Sequence, residues 1–225
     1  MKIYYYYDDA FVNMKNMFEQ SFKDDFEPCP VHTDSIDPQI INKDMDNFSA
    51  IGGGIASWLT KVGIILDAID SGEPDEIFVM SDIDIVFYKP VLPIINKFMQ
   101  GVSLCLQRET FDEGGVNIGF MGIRCDQASK NFWKSVRDEI ILKRKWDQEV
   151  VNNLLTFKFP IKWRMFPVEI WNYTQRKYIP RNMALHHANA AKTTEDKLDQ
   201  IHRVRRDWRN RYYSPVHYTD YLGTS

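Results

Sequence analysis

Cysteine is scarce: among 225 residues there are three, Cys29, Cys105 and Cys125, widely and irregularly spaced. Such spacing provides neither the paired ligands of a zinc site nor a disulfide framework, so reduced thiols in a cytoplasmic setting are expected. No apolar run approaches the ~20 residues needed to span a bilayer. The opening Met1-Lys-Ile-Tyr-Tyr-Tyr-Tyr-Asp-Asp lacks a signal-peptide layout, and a soluble chain is expected. Positive charge is not in surplus either, since 28 Lys and Arg against 31 Asp and Glu leave a net charge of −3. That balance argues against a nucleic-acid partner, and a chain that handles phosphates on it needs a metal or a local basic cluster. Repeats and low-complexity tracts are missing too. What is present is globular composition, 44% hydrophobic and 26% charged, enough for the core of one α/β domain with a small appendage.

The most informative stretch is Glu76-Ile-Phe-Val-Met-Ser-Asp-Ile-Asp-Ile-Val-Phe-Tyr88. Ile77 to Met80 is a short unbroken apolar run, the pattern of a strand buried on both faces. It ends in Asp82 and Asp84. Residues two apart on an extended chain point the same way, so the two carboxylates converge beyond the carboxyl end of a strand, where α/β sheets bind ligands. With nothing basic inside the motif, a hard divalent cation, Mg²⁺ or Mn²⁺, is the natural partner. A bare D-x-D is also a common solvated turn, so its surroundings decide.

Lys2 to Tyr7 reads as a first strand closed by Asp8 and Asp9, either a base or ribose contact or a turn. Met14 to Phe26 has helical periodicity, and 27–47 reads as loop with one short strand. Ile51-Gly-Gly-Gly-Ile-Ala-Ser57 leads into a helix capped by Ser57 with Trp58, Val62, Ile65, Leu66 and Ile69 on one face. It lacks the G-K-[S/T] ending of a P-loop and is read as a loop gating the site. Lys61 falls off that apolar face, placed to reach a diphosphate or to be solvated. Val102 to Leu106 and Gly114 to Ile123 are further strands, the second with Asn117 among apolar neighbours. Asp126 caps a helix. Trp146-Asp-Gln-Glu-Val-Val-Asn152 starts another, with Trp146 inward and Asp147 and Gln148 in its first turn. Met183 to Ala190 is a last apolar strand ending in His186 and His187. A helix over 194–208 follows, and between Lys197 and Arg211 six basic residues face two acids, a solvated face or a dock for an anionic acceptor or membrane surface.

In this order the motifs resemble those of nucleotide-diphospho-sugar glycosyltransferases of the GT-A fold, in particular the metal-dependent retaining branch of glycogenin-like enzymes and lipopolysaccharide galactosyltransferases. Ser81-Asp-Ile-Asp-Ile-Val-Phe is similar to the D-x-D strand, Gly115-Val-Asn-Ile-Gly-Phe-Met-Gly-Ile-Arg to the N-x-G strand, and Trp146-Asp-Gln-Glu-Val-Val-Asn to the D-Q helix. His187-Ala-Asn, with Lys197 ten residues on, is similar to the closing histidine and lysine segment. The resemblance implies a Rossmann-like, mixed but mostly parallel sheet flanked by helices. It puts the transferase domain over 1–192 and a basic C-terminal helix and tail over 193–225.

Carried over, it implies that Asp82, Asp84 and His187 bind Mn²⁺ or Mg²⁺, with Asp82 also near the donor ribose. Asp8 would contact the nucleoside, Lys61 and Lys197 would neutralise the diphosphate, and Asn117, Asp147 and Gln148 would hold the donor sugar. Asp147 and Gln148 are then the candidate catalytic residues. Some relatives end in H-x-x-G-x-x-K, a register that selects His186 with Lys192 and puts Asn189 where glycine would be; neighbouring strand residues face opposite ways, so only one histidine can serve. The implied activity is sugar transfer from a nucleotide-diphosphate sugar, with uridine the usual base, to a glycan, lipid or protein hydroxyl with retention. Alternatives are a non-catalytic nucleotide-sugar or glycan binder, a haloacid-type phosphatase, which needs its D-x-D on the first strand, and a sugar-1-phosphate nucleotidyltransferase. The last wants a glycine-rich basic loop after strand one, and Tyr7-Asp-Asp-Ala-Phe11 is neither.

Overall fold

A computed structural model describes residues 1–35, 54–110, 114–175, 178–189, 191 and 193–213. The elements in chain order are β1 (Lys2–Tyr7), α1 (Val12–Gln20), β2 (Glu27–His32), α2 (Gly54–Ser71), β3 (Ile77–Ser81) and β4 (Ile85–Phe87). Then come α3 (Leu92–Phe98), β5 (Leu104–Arg108), β6 (Val116–Arg124), α4 (Gln127–Lys143) and α5 (Asp147–Thr156), and finally β7 (Trp163–Met165), β8 (Ile170–Asn172), β9 (Leu185–His187) and α6 (Thr194–Tyr213). The main sheet runs β2-β1-β3-β6-β5-β7, and β4-β9-β8 form a second, smaller sheet. In the main sheet β6 alone runs against its neighbours β3 and β5; the other pairings are parallel. The fold is therefore mixed, mostly parallel and flanked by helices.

The alternation along β3 shows why an unbroken apolar run is needed. Phe78 and Met80 enter the core shared with α2, α4 and α5, while Val79 enters the opposite core beneath α1 and α3. Each fully buried aliphatic or aromatic side chain contributes about 1.5–3 kcal/mol relative to exposure, so both faces of the strand are committed. Chain direction through this strand sets the site. β3 ends at Ser81, the chain crosses to the second sheet through Asp82-Ile-Asp84, and β4 begins at once. Helix α6 packs on that second sheet through Ile201 against Val86 and Ala188, and through Val204 against Trp171 and Met183.

Several local expectations change. Helix α1 stops at Gln20 instead of reaching Phe26, because Asp24 is drawn away to accept the Val91 and Leu92 amides that open α3. The 27–47 segment contains the six-residue strand β2; its remainder, like the glycine cluster up to Gly53 and Lys192, lies outside the described residues. Helix α2 begins at Gly54, so Ser57 is inside it; its hydroxyl pairs with that of Tyr6 at 2.7 Å. Strand β5 begins two residues later than Val102. Trp146 does not point inward: it precedes the first turn of α5 and is 46% exposed.

Candidate functional site

Two backbone hydrogen bonds fix the acidic turn. The Asp82 amide donates to the Gly119 carbonyl at 2.7 Å, and the Ala188 amide donates to the Asp84 carbonyl at 2.9 Å. The first ties the turn to β6, the second to the residue after His187. Antiparallel pairing of Ile85 with His187 then sets the imidazole beside the carboxylates. His187 Nε2 lies 3.2 Å from Asp84 Oδ1 and 3.8 Å from Asp82 Oδ2. One ligand atom from each of the three residues falls within 4.8 Å of the others, a group able to hold a metal ion.

Strand alternation separates the two histidines as expected. His186 packs against Trp171, ring centroids 5.1 Å apart, and meets Gln200 of α6. Burial pushes its pKa down to about 3, so it is a neutral packed side chain. His187 takes the site side.

Gln107, which sequence reasoning missed, sets the state of that imidazole. Its amide nitrogen donates to the Ile170 carbonyl at 3.3 Å, which turns its oxygen towards His187 Nδ1 at 2.9 Å. Nδ1 therefore carries the proton and Nε2 faces the acids, the arrangement that second-shell partners impose on metal-binding histidines. The only signal for it in the sequence is a lone amide ending the apolar run Leu104-Cys-Leu106.

The residues fit a divalent cation. Asp84 Oδ1 is buried and makes no hydrogen bond, and it confronts Nε2 at 3.2 Å, a pairing that either a bound cation or a proton on Nε2 reconciles. Space is made for the imidazole by Gly119, the glycine of Asn117-Ile-Gly119. A Cβ there would lie 2.1 Å from His187 Cε1 and 2.7 Å from Nδ1.

Two lysines reach the acids. Lys61, expected off the apolar face of α2, is instead buried and pairs with Asp82 Oδ1 at 2.7 Å. Burial opposes its charge, but Asp82, Tyr6 and Asp147 outweigh that and raise its pKa. Lys197, from the first turns of α6, pairs with Asp84 Oδ2. Asp84 is itself disfavoured by burial, yet His187 when Nε2 carries a proton, and Lys197, hold it well below the usual carboxylate range.

Asp147 and Gln148 are buried at the start of α5. Asn152 moors that helix to β6: its Nδ2 donates to the Val116 and Gln148 carbonyls, and its Oδ1 accepts the Val116 amide at 2.8 Å. Burial pushes the Asp147 carboxyl up to about 6, only partly offset by Lys61. Asn117 is buried at the same end of β6, where its Oδ1 accepts the Gly119 amide at 2.8 Å and its Nδ2 donates to Glu109 at 2.6 Å. Glu109 is the second residue that sequence reasoning missed. Asp8 stands apart from this cluster in role, its carboxylate accepting the Ala10 amide at 2.9 Å and capping a short turn after β1.

The profile of the nucleotide-diphospho-sugar transferases matches residues 75–201, from the start of the acidic strand to the middle of α6. The chain belongs to this family. It is a glycosyltransferase in that sense, and the solved structures it is similar to share its GT-A fold. The galactosyltransferase LgtC in complex with donor and acceptor sugar analogues is 12% identical with a TM-score of 0.62, over 93% of this chain and 96% of that one. A glycosyltransferase involved in glycosylation of the major capsid of PBCV-1 is 10% identical with a TM-score of 0.61, over 91% and 98%. GlyE of Streptococcus pneumoniae TIGR4 is 15% identical with a TM-score of 0.57, over 94% of this chain and 63% of its own. No curated protein matches in sequence. Among the described residues no helix is long and apolar enough to cross a membrane. Membrane contact through the basic face of α6 finds no support in these comparisons.

Proposed function

We propose that this transferase moves a sugar from a UDP-sugar to an acceptor hydroxyl in a reaction that depends on Mn²⁺ or Mg²⁺. The observation that carries the reading is the convergence of Asp82, Asp84 and His187, with an orphaned carboxylate oxygen and an imidazole nitrogen facing each other inside it. These three residues would hold the ion, and one imidazole among carboxylates favours Mn²⁺ over Mg²⁺. When bound, the ion supplies Lewis-acid stabilisation of the departing nucleoside diphosphate.

The remaining roles belong to the chain. Lys61 and Lys197 are held charged at the two carboxylates, and both are placed to exchange those partners for diphosphate oxygens as the acids engage the ion. Asp147, Gln148 and the Asn117 end of β6 orient the sugar; Asp8 closes the nucleoside side. No catalytic base is assigned, and Asp147 is the carboxylate to test first. Retention, a glycan, lipid or protein acceptor, and a cytoplasmic location complete the reading. Motif resemblance to the retaining branch supports the first, and three free thiols support the last. Residues 1–192 form the transfer domain on this reading, with the helix beyond lending Lys197.

UDP-sugar hydrolysis with and without MnCl₂ tests the proposal. Wild type should release UDP only with the ion, and Asp84→Asn, which keeps the side-chain volume, should lower the rate at least ~100-fold. Equal rates in EDTA would remove the metal from the account. Binding of UDP-sugar without any turnover would favour the non-catalytic binder.

A further inference from the structure

A second pair of polar residues two apart, Gln107 near the end of β5 and Glu109 just past it, stands at the same edge of the sheet as the end of β3, to which β5 runs parallel. Gln107 already serves the imidazole. Glu109 is partly exposed, directly beyond the strand, and three contacts hold it. Its amide donates to the Gly115 carbonyl at 2.9 Å, its carbonyl accepts the Thr174 hydroxyl at 2.8 Å, and its Oε2 accepts the Asn117 amide at 2.6 Å. Asn117 in turn sits against the metal-side imidazole: its Oδ1 and His187 Cε1 lie 2.9 Å and 2.1 Å from the same point above Gly119. Glu109 is thus one side chain removed from the imidazole, and only one of its carboxylate oxygens is engaged by Asn117.

The Asn117 amide is correspondingly occupied. Its oxygen holds the Gly119 amide and its nitrogen holds Glu109, so one N–H and one lone pair are committed to positioning and any grip on the sugar is shared with Glu109. We infer that Glu109, clamped by Asn117 and Thr174, is a sugar-binding residue whose carboxylate accepts a hydroxyl of the transferred sugar and selects a neutral, hydroxyl-rich sugar over a uronic acid. A carboxylate fixed in place accepts from hydroxyls strongly and repels a second carboxylate. This inference rests on the nucleotide-sugar reading above and adds the substrate class to it.

The test compares wild type, Glu109→Gln and Glu109→Ala with Mn²⁺ and UDP, UDP-glucose, UDP-galactose or UDP-glucuronate. Glutamine keeps an oxygen for Asn117 and so keeps the clamp, while removing the charge. Calorimetry should show UDP bound equally by all three proteins, because the assignment concerns the sugar. Hydrolysis of the preferred neutral donor should fall about 10- to 100-fold in Glu109→Gln with an unchanged melting temperature. Wild type should disfavour UDP-glucuronate by at least ~10-fold, and Glu109→Gln should narrow that gap. If Glu109→Gln matches wild type on every donor while Glu109→Ala is impaired, Glu109 is a clamp only and the assignment is wrong. Equal use of UDP-glucuronate and neutral donors by wild type overturns the selectivity. If wild type binds no UDP at all, the UDP-sugar reading falls, and this inference with it.

Discussion

Asp147 shows a buried charge maintained against the stability of the fold. Its carboxyl is pushed from 3.8 to about 6 by burial, so the folded chain holds the proton more tightly than the unfolded one. The sign follows: this contribution to stability is fully present below about pH 4 and is lost as pH rises through about 6. Above that, ionised Asp147 costs up to about 3 kcal/mol relative to a neutral side chain. Asp147→Asn keeps an acceptor for the Gln148 amide, now at 2.8 Å. It should raise the melting temperature at pH 7.5 and flatten the pH dependence of stability between pH 4 and 6, while sugar transfer falls at least ~100-fold. Chemical denaturation across that pH range checks it; a destabilised variant at pH 7.5 would contradict it. At the imidazole, Gln107→Met removes the partner of Nδ1 without opening a cavity. Mn²⁺ affinity should weaken about 10- to 100-fold, measured by calorimetry, and the Nδ1–H and Ile170 carbonyl left unpaired should lower stability by about 1–3 kcal/mol each.

At the scale of elements, the site depends on how closely β9 approaches β6. Gly119 is the point of contact, and a single added methyl there cannot coexist with the His187 ring as placed. Gly119→Ala should therefore abolish the Mn²⁺-induced thermal shift and cost about 1–3 kcal/mol of stability through local overpacking. A full Mn²⁺ response in that variant would show that the ion does not need the imidazole. What could be read ahead of the structure divides along the same line. Asp82 with Asp84 follows from a two-residue spacing just beyond a strand end, a local rule. His187 over His186 rests instead on the resemblance of His187-Ala-Asn and Lys197, alternation saying only that one of the two can serve. For Lys61 periodicity left site contact and solvation both open, because only the fold shows that α2 is buried nearly all round and that this lysine meets Asp82. The reading of Trp146 failed, because an aromatic at a helix start looks like core, but here it precedes the first turn and is left about half exposed. Gln107 had only its place as a lone amide ending an apolar run, and Glu109 had no local signature. Their meaning appears only when β5, β6 and β9 meet, and the short second sheet that brings β9 there rests on three-residue strands too brief to show a period.

For the whole molecule, two sheets meet at one acidic crossing and a C-terminal helix closes back over it. The chain segment from Asp82 to Asp84 joins β3 to β4, so two of the three proposed ligands for the ion lie on a crossing between the sheets. Ion binding should then stabilise the molecule globally by mass action, and not merely one loop. The direct measurement is calorimetric titration of MnCl₂ into the protein with UDP present, for wild type, Asp84→Asn and His187→Ala. One equivalent bound by wild type, and affinity at least ~100-fold weaker in both variants, is the predicted result; Mn²⁺ binding of undiminished affinity in both would contradict a metal centre built from the acidic crossing and His187.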